Sequence, residues 1–495
     1  MTRDLWKARP LALVASVAAT ALLAACGGGG SDSSDSGGGG GGGGGSGNPS
    51  ALYVNSIVLP ASAVKSVAAT ALAPADVPVY QVMLPEWNDM KSVAPAMPGT
   101  PLQIGAPRNV ADLTSATQTA QALAWKAQAD GSQVASISIT SGGAHGLRMG
   151  VVVDALPDAA QVRVYRPEHR DQASQTTGAQ INALLAMNKA SGESGAAAQT
   201  WWTPDVGAGE ATLEIALPTS VSPAAVQIAI PRVSHIFQEM ALPTEEELAQ
   251  QAKATSGSCN LDASCSSYDV ERNAVAQMTF TGADGRGYYC SGTLLNNTKG
   301  DYTPYFMTAH HCISAQSEAS SLQTKWFYRA ASCNSNALMS NMTTRYSGGK
   351  LLYATTATDS SLLQLNEMPP VGATLAGWDA RGGVQVGSSV YGLHHPNGDW
   401  MEYSEGGVKT FGTCTFNSSG GLGCSDGNTD SSFIRALWSR GVTEGGSSGS
   451  GLFYSGRLVG TLTGGNSQCG VSGGSDYYGR FDKVFNSKLK NWLAQ

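Results

Sequence analysis

Four short stretches of this 495-residue chain carry residue types that can do covalent chemistry together. YYCSGTLL (288–295) is followed by YFMTAHHCI (305–313), then TDSSLLQL (358–365) and GVTEGGSSGSGLF (441–453). In chain order they supply a histidine beside a cysteine, an aspartate and a glycine-flanked serine. Those are a base, the carboxylate that orients it and a nucleophile, the parts of acyl transfer through a serine ester. Small residues at 445–451 suit a tight loop whose backbone amides must converge on one oxygen. Two histidine pairs, His310/His311 and His394/His395, raise the question of a metal. Adjacent side chains on a strand point to opposite faces, so no metal and no other cofactor is expected.

The elements that must position these residues are short strands. VAQMTF (275–280), TPYFMTA (303–309), TKWFYRA (324–330), SLLQL (361–365), SSVYGL (388–393) and RLVGTLT (457–463) read as β. In the closing FDKVFNSKLKNWLAQ, Val484, Phe485, Leu489, Trp492 and Leu493 share one helical face. Residues 254–495 therefore read as an all-β double-barrel or sandwich body with a C-terminal helix. Residues 51–253 differ: they hold 15 of the 21 prolines and no cysteine. QVASISI (133–139), RMGVVVDAL (148–156), ATLEIAL (211–217) and AAVQIAI (224–230) make this a β-rich module. Its Ala/Pro-rich first part, 51–105, yields no element. PTEEELAQQAK (243–253) is a helix candidate, with Thr244 and Glu247 at capping-box spacing.

The N-terminus reads as an export signal. Arg3, Lys7 and Arg9 precede an apolar run from Leu11 to Ala25 that is short for a membrane span. LLAAC (22–26) resembles a bacterial lipobox, which would make Cys26 the lipidated first residue of the exported chain. Residues 27–50 form a tether whose Gly/Ser composition cannot bury a core. The expected organisation is a 1–26 lipoprotein signal, a 27–50 tether, a 51–253 prosegment and a 254–495 catalytic domain. A net charge of -7 excludes nucleic acid as a partner, and 42% hydrophobic content excludes a wholly disordered chain.

The region from about 257 to 493 resembles the chymotrypsin-fold serine proteases, most closely the bacterial lysyl endopeptidases. Three separated motifs carry the resemblance, together with GSCNLDASC (257–265), AGWDARG (376–382) and HHPN (394–397). It implies a double six-stranded β-barrel. It also implies His311 as base, Asp359 as its orienting acid and Ser448 as nucleophile, with the amides of Gly446 and Ser448 as oxyanion hole. Trypsin-like enzymes place the pocket aspartate six residues before the nucleophile, where this chain has Val442. SDYYGR (475–480) resembles the lysyl endopeptidase segment whose acid meets the substrate ammonium, which makes Asp476 the specificity residue. Glu444 is the second candidate acid, expected to face solvent. The chain departs from the family at Thr463, and no aromatic residue flanking the site is assigned. The resemblance further implies the disulfides Cys290–Cys312, Cys259–Cys469 and Cys265–Cys333, leaving Cys414–Cys424 as a loop-closing bridge.

Between Arg232 and Arg272 the only lysine or arginine is Lys253. A lysine-selective protease would cut its own chain there, making Ala254 the new N-terminus and freeing the prosegment. The expectation is an exported serine endopeptidase cleaving proteins after lysine, and arginine if the pocket admits it. Its precursor would be held at the bacterial envelope by lipid on Cys26, and its mature form would be extracellular. The competing class is a surface-anchored binding lipoprotein with an inactive protease fold, against which the intact triad positions argue.

Overall fold

The computed structural model describes residues 52–64, 77–89, 91, 93–238, 256–417 and 420–495. The apolar run, Cys26, the tether, the helix expected at 243–253 and the Lys253–Ala254 bond all lie outside the described residues. No described helix is long and apolar enough to cross a membrane.

The alternating runs of the N-terminal region become strands. Gln133–Ser141, Glu210–Leu217, Gln161–Tyr165 and Ser174–Thr177 pair in that order, and Val79–Leu84 adds in parallel to the first. A second sheet runs Thr200–Trp202, Gly146–Ala155, Gln227–Ile236, Leu102–Asn109. Residues two apart share a face, so Ile137, Ile139, Leu213 and Ile215 of one sheet meet Leu147, Met149, Val151 and Val233 of the other. Helix Gly178–Ala190, not read from the sequence, adds Ile181, Leu184 and Leu185 to this core. Its start is fixed by a capping box: Gln180 N donates to Thr177 Oγ1 and Thr177 N to Gln180 Oε1.

The second sheet does not stop at the end of the module. Leu102–Asn109 also pairs with Gly287–Leu295 of the C-terminal half. Residues 52–64, unassigned from the sequence, belong with that half too. Tyr53–Val54 pairs with Trp378–Asp379, Ile57–Val58 pairs with Thr374–Leu375, and Leu59 is fully buried among C-terminal core residues.

The C-terminal half contains two main arrays, the first carrying Thr343–Arg345 outside its leading strand Gln323–Trp326 and the second six-stranded. Gln323–Trp326, Val275–Thr281, Gly287–Leu295, Tyr305–Thr308, Ser360–Leu365 and Gly349–Thr355 pair in that order. The run expected to reach Ala330 ends at Trp326, because Phe327 has φ 57, outside the extended region. In the other array Ser389–His394, Glu402–Phe416, Phe433–Arg440, Ser475–Arg480, Arg457–Gly465 and Gly451–Tyr454 close on themselves as a barrel. The architecture is mostly β. The chain ends in a helix over 481–493 with a π-turn at Phe485–Leu489. Val484, Phe485, Leu489 and Leu493 are buried beside Trp378, while Trp492 is only partly covered.

Candidate active site

The first array supplies the histidine and the aspartate. His311 lies in the turn after Tyr305–Thr308, and the next residue is bridged to the neighbouring strand by Cys290–Cys312. Asp359 opens the strand Ser360–Leu365 from a left-handed conformation, φ 45, and is fully buried. Its carboxylate grips His311 twice, accepting from the backbone N–H at 2.9 Å and meeting ring Nδ1 at 2.7 Å. With Nδ1 engaged, Nε2 is the nitrogen left to exchange a proton, and it is buried with no hydrogen-bond partner among the described residues. The second barrel reaches this turn through Gly479, where a Cβ would stand 1.8 Å from Thr358 O.

The second array supplies the serine. Ser448 sits in the loop between Phe433–Arg440 and Gly451–Tyr454 and is 8% exposed. Five consecutive carbonyls of this loop are occupied. Glu444 O accepts from Ser447 N, Gly445 O from Asn397 N and Gly446 O from Ser291 Oγ. Ser447 O accepts from Ser450 N, and Ser448 O from Ser291 N at 2.8 Å. The N–H groups of Gly446 and Ser448 donate to no described residue. Gly446 has φ 88, a conformation in which glycine is free of Cβ strain. Two amides without partners beside a hydroxyl, with every nearby carbonyl tied back, can receive a developing oxyanion.

Asp476 lies on Ser475–Arg480, opposite Gly465, and is 1% exposed. Trp438 Nε1 and Thr443 Oγ1 donate to its Oδ2 at 2.6 and 2.7 Å. It forms no ion pair among the described residues; Arg480 pairs instead with Asp482. Burial raises its pKa to about 6 against the lowering effect of these donors. Glu444 departs from the expectation of a solvent-facing acid: its Oε2 accepts from Gly257 N, Asn260 Nδ2 and Asn397 Nδ2. Gly257 and Asn260 belong to the chain just after the interdomain linker and Asn397 to the turn after Ser389–His394, so the acid staples both to the serine loop.

Phe416, which the sequence reading did not single out, puts its ring centroid 6.4 Å from that of His311. It ends the long strand Glu402–Phe416, whose tip is closed by Cys414–Cys424. The only available signal was that cysteine pair, ten residues apart around a Gly/Ser turn. Cys259–Cys469 and Cys265–Cys333 complete the four bridges. Among the described residues one group is compact enough for a metal, Cys290, His311 and Cys312, and both its cysteines are in a disulfide.

A segment of the N-terminal module runs past these walls. Pro98 O accepts from Leu422 N, and Gly99 is buried with Phe416 and Leu422 about it. A Cβ on Gly464 would stand 3.1 Å from Gly99 N, and one on Gly445 would stand 3.3 Å from Leu102 Cδ1.

Comparison with known proteins follows the same division. Residues 81–237 match the lysyl endopeptidase N-terminal domain, and residues 253–479 match the lysyl endopeptidase C-terminal domain. A lysyl endopeptidase of Pseudomonas aeruginosa is 33% identical over 421 residues, 80% of this chain and 82% of that protein. Among solved structures, the MamO protease domain from Magnetospirillum magneticum is 15% identical, covering 44% of this chain and 97% of its own, with a TM-score of 0.30. The HtrA-type protease AlgW is 18% identical, over 45% and 62%, with a TM-score of 0.31. With both domain families matched in order and a third of the aligned residues shared with a lysyl endopeptidase across most of both chains, this protein belongs to the lysyl endopeptidase family and is a serine endopeptidase.

Proposed function

We propose that the protein is an exported proenzyme that cleaves polypeptides after lysine. Ser448 Oγ attacks the scissile carbonyl while His311 Nε2 takes its proton, and Asp359 holds the ring and balances the imidazolium charge. The N–H groups of Gly446 and Ser448 receive the oxyanion. His311 then protonates the leaving amine, and water resolves the acyl-enzyme by the same route. The observation that carries the lysine preference is Asp476: a buried carboxylate with neutral donors and, among the described residues, no cation of its own, against the glycine of the adjoining strand. A buried charge needs a counter-charge, and a substrate ammonium supplies it.

The proenzyme reading is supported by the path of residues 96–102 along Phe416, Leu422, Gly445 and Gly464, which would obstruct a polypeptide substrate in the same cleft. Cleavage after Lys253, the one lysine or arginine of the linker, would begin the mature enzyme at Ala254. The resulting partners are lysine-bearing polypeptides and the enzyme's own prosegment. Lipid on Cys26 would hold the precursor at the envelope and let the mature enzyme leave.

The test is hydrolysis of matched lysyl, arginyl and glutamyl amides by purified protein, with intact-mass analysis of each species. Lysyl turnover that vanishes in Ser448→Ala, with a mature mass beginning at Ala254, is the expected result. Equal rates in Ser448→Ala would overturn the catalytic assignment. Preferred glutamyl cleavage would overturn the role of Asp476, and a mature form retaining residues before Lys253 would overturn the processing site.

A further inference from the structure

Beneath the serine loop lies the turn HHPN, residues 394–397, at the end of strand Ser389–His394. His394 is fully buried and plays no part in the proton transfers above. Its ring connects two places on the loop. Nε2 lies 3.0 Å from Ser404 Oγ, and Ser404 Oγ donates its own proton to Val442 O at 2.7 Å. Ser404 therefore accepts from His394, which fixes the proton on Nε2. Nδ1 is then an acceptor, and it lies 2.9 Å from Ser447 Oγ, the hydroxyl of the residue before Ser448. Ser447 Oγ in turn accepts from Glu444 N at 3.2 Å. The chain of bonds is fully directed and requires a neutral imidazole, and burial lowers the His394 pKa to about 3.

Asn397, three residues on, acts on the neighbouring peptide. Its N–H donates to Gly445 O at 2.6 Å, and in a trans peptide the N–H of Gly446 must then point the opposite way. The turn thus sets the direction of one amide of the oxyanion hole and, through Ser447, anchors the residue that carries the other. Ser256 and Gly257 are docked below it, donating to Asp399 and Glu444 while the chain is still continuous.

We propose that His394 is a positioning residue for the oxyanion hole, acting through Ser447, with Asn397 fixing the Gly446 amide. The brace is built into the precursor, so release of the prosegment after cleavage uncovers a formed oxyanion site instead of assembling one with a new N-terminus. The inference rests on Ser448 as nucleophile, and Ser448→Ala tests that reading separately.

The experiment compares processed wild-type enzyme with Ser447→Ala, His394→Leu and His394→Asn, each matured with trace wild-type protease. It measures kcat and KM on a lysyl amide and affinity for two inhibitors. One is a lysyl aldehyde, which forms an oxyanion on Ser448; the other is a simple alkylamine, which occupies only the specificity pocket. Losing an oxyanion donor costs roughly 10²–10³ in kcat. His394→Leu is expected to approach that loss with KM within about three-fold, and aldehyde affinity should fall in parallel while amine affinity holds. His394→Asn, whose Oδ1 can replace Nδ1 as acceptor, should recover about ten-fold. Ser447→Ala, which removes only a hydroxyl and should fold even if His394→Leu does not, should lower kcat about ten-fold. Wild-type kcat in Ser447→Ala, a His394→Asn enzyme no better than His394→Leu, or equal loss of amine and aldehyde binding would each overturn the proposal.

Discussion

Asp359 holds His311 at two atoms, the backbone N–H and ring Nδ1, at 2.9 and 2.7 Å. The first bond fixes the turn and the second fixes the tautomer, so the carboxylate does separable structural and chemical work. Asp359→Asn keeps the shape but offers an N–H where the ring needs an acceptor. We expect kcat to fall by roughly 10³–10⁴-fold with KM little changed. Steady-state kinetics on a lysyl amide checks this, and a loss under ten-fold would contradict it.

Asp476 carries a pKa raised to about 6 by burial, so it is neutral below that pH and charged above it. On the proposed lysine specificity, a substrate ammonium would pair with the charged form. Affinity for an alkylamine should therefore hold above pH 7 and weaken about ten-fold per unit as pH falls below 6. Titration calorimetry with Ser448→Ala isolates binding from turnover. Affinity that stays flat from pH 4.5 to 8 would remove Asp476 from the pocket.

The same residue acts on stability with the opposite sense. Its folded pKa lies above the unfolded value, so its contribution is fully present below about pH 3.8 and is lost as pH rises through about 6. Asp476→Asn should flatten that part of the stability curve. Melting temperatures of both proteins across pH 4–8 give the comparison, and parallel curves would count against it.

Gly479 admits the second barrel against the Asp359 turn, since a Cβ there would meet Thr358 O at 1.8 Å. Gly479→Ala must push that turn away. We expect a loss of about 1–3 kcal/mol in stability and a fall in kcat beyond what the unfolded fraction explains. Denaturant titration alongside active-site titration separates the two effects.

Arg148 of the N-terminal module is 1% exposed and spans the seam between the halves. It donates to Thr203 O on its own side and to Thr281 Oγ1 and Ser321 O across it. Arg148→Ala strands those acceptors and removes a charge facing buried Asp205. The full-length chain should lose about 3–5 kcal/mol, read by denaturant titration. A change under 1 kcal/mol would mean that the seam is held elsewhere.

Some of this was legible in the sequence for a physical reason. Strands whose side chains alternate, such as Gln133–Ser141 and Glu210–Leu217, advertise themselves by period, and the Gly-flanked Ser448 loop by its small residues. Asp476 was reached by resemblance alone; its burial depends on Trp438 and Thr443, which come from other parts of the barrel. Helix Gly178–Ala190 was missed because its Thr177–Gln180 cap follows the polar stretch 167–177. The roles of Phe416 and His394 depend on long-range pairing, which no local pattern encodes. Glu444 was misread because its partners are non-local: Gly257 and Asn260 lie nearly two hundred residues away along the chain and Asn397 lies 47 away.

The strand Leu102–Asn109 is shared by both halves, and severing the linker between 238 and 256 breaks none of its ladder bonds. A nick there changes the connectivity of the molecule and leaves its contacts alone. What was an intramolecular sheet becomes a bimolecular complex whose lifetime is set by dissociation and whose population is set by dilution. For such a complex the parting of the two pieces is a first-order step whose rate dilution leaves unchanged, while dilution suppresses their re-association and so raises the share of open clefts.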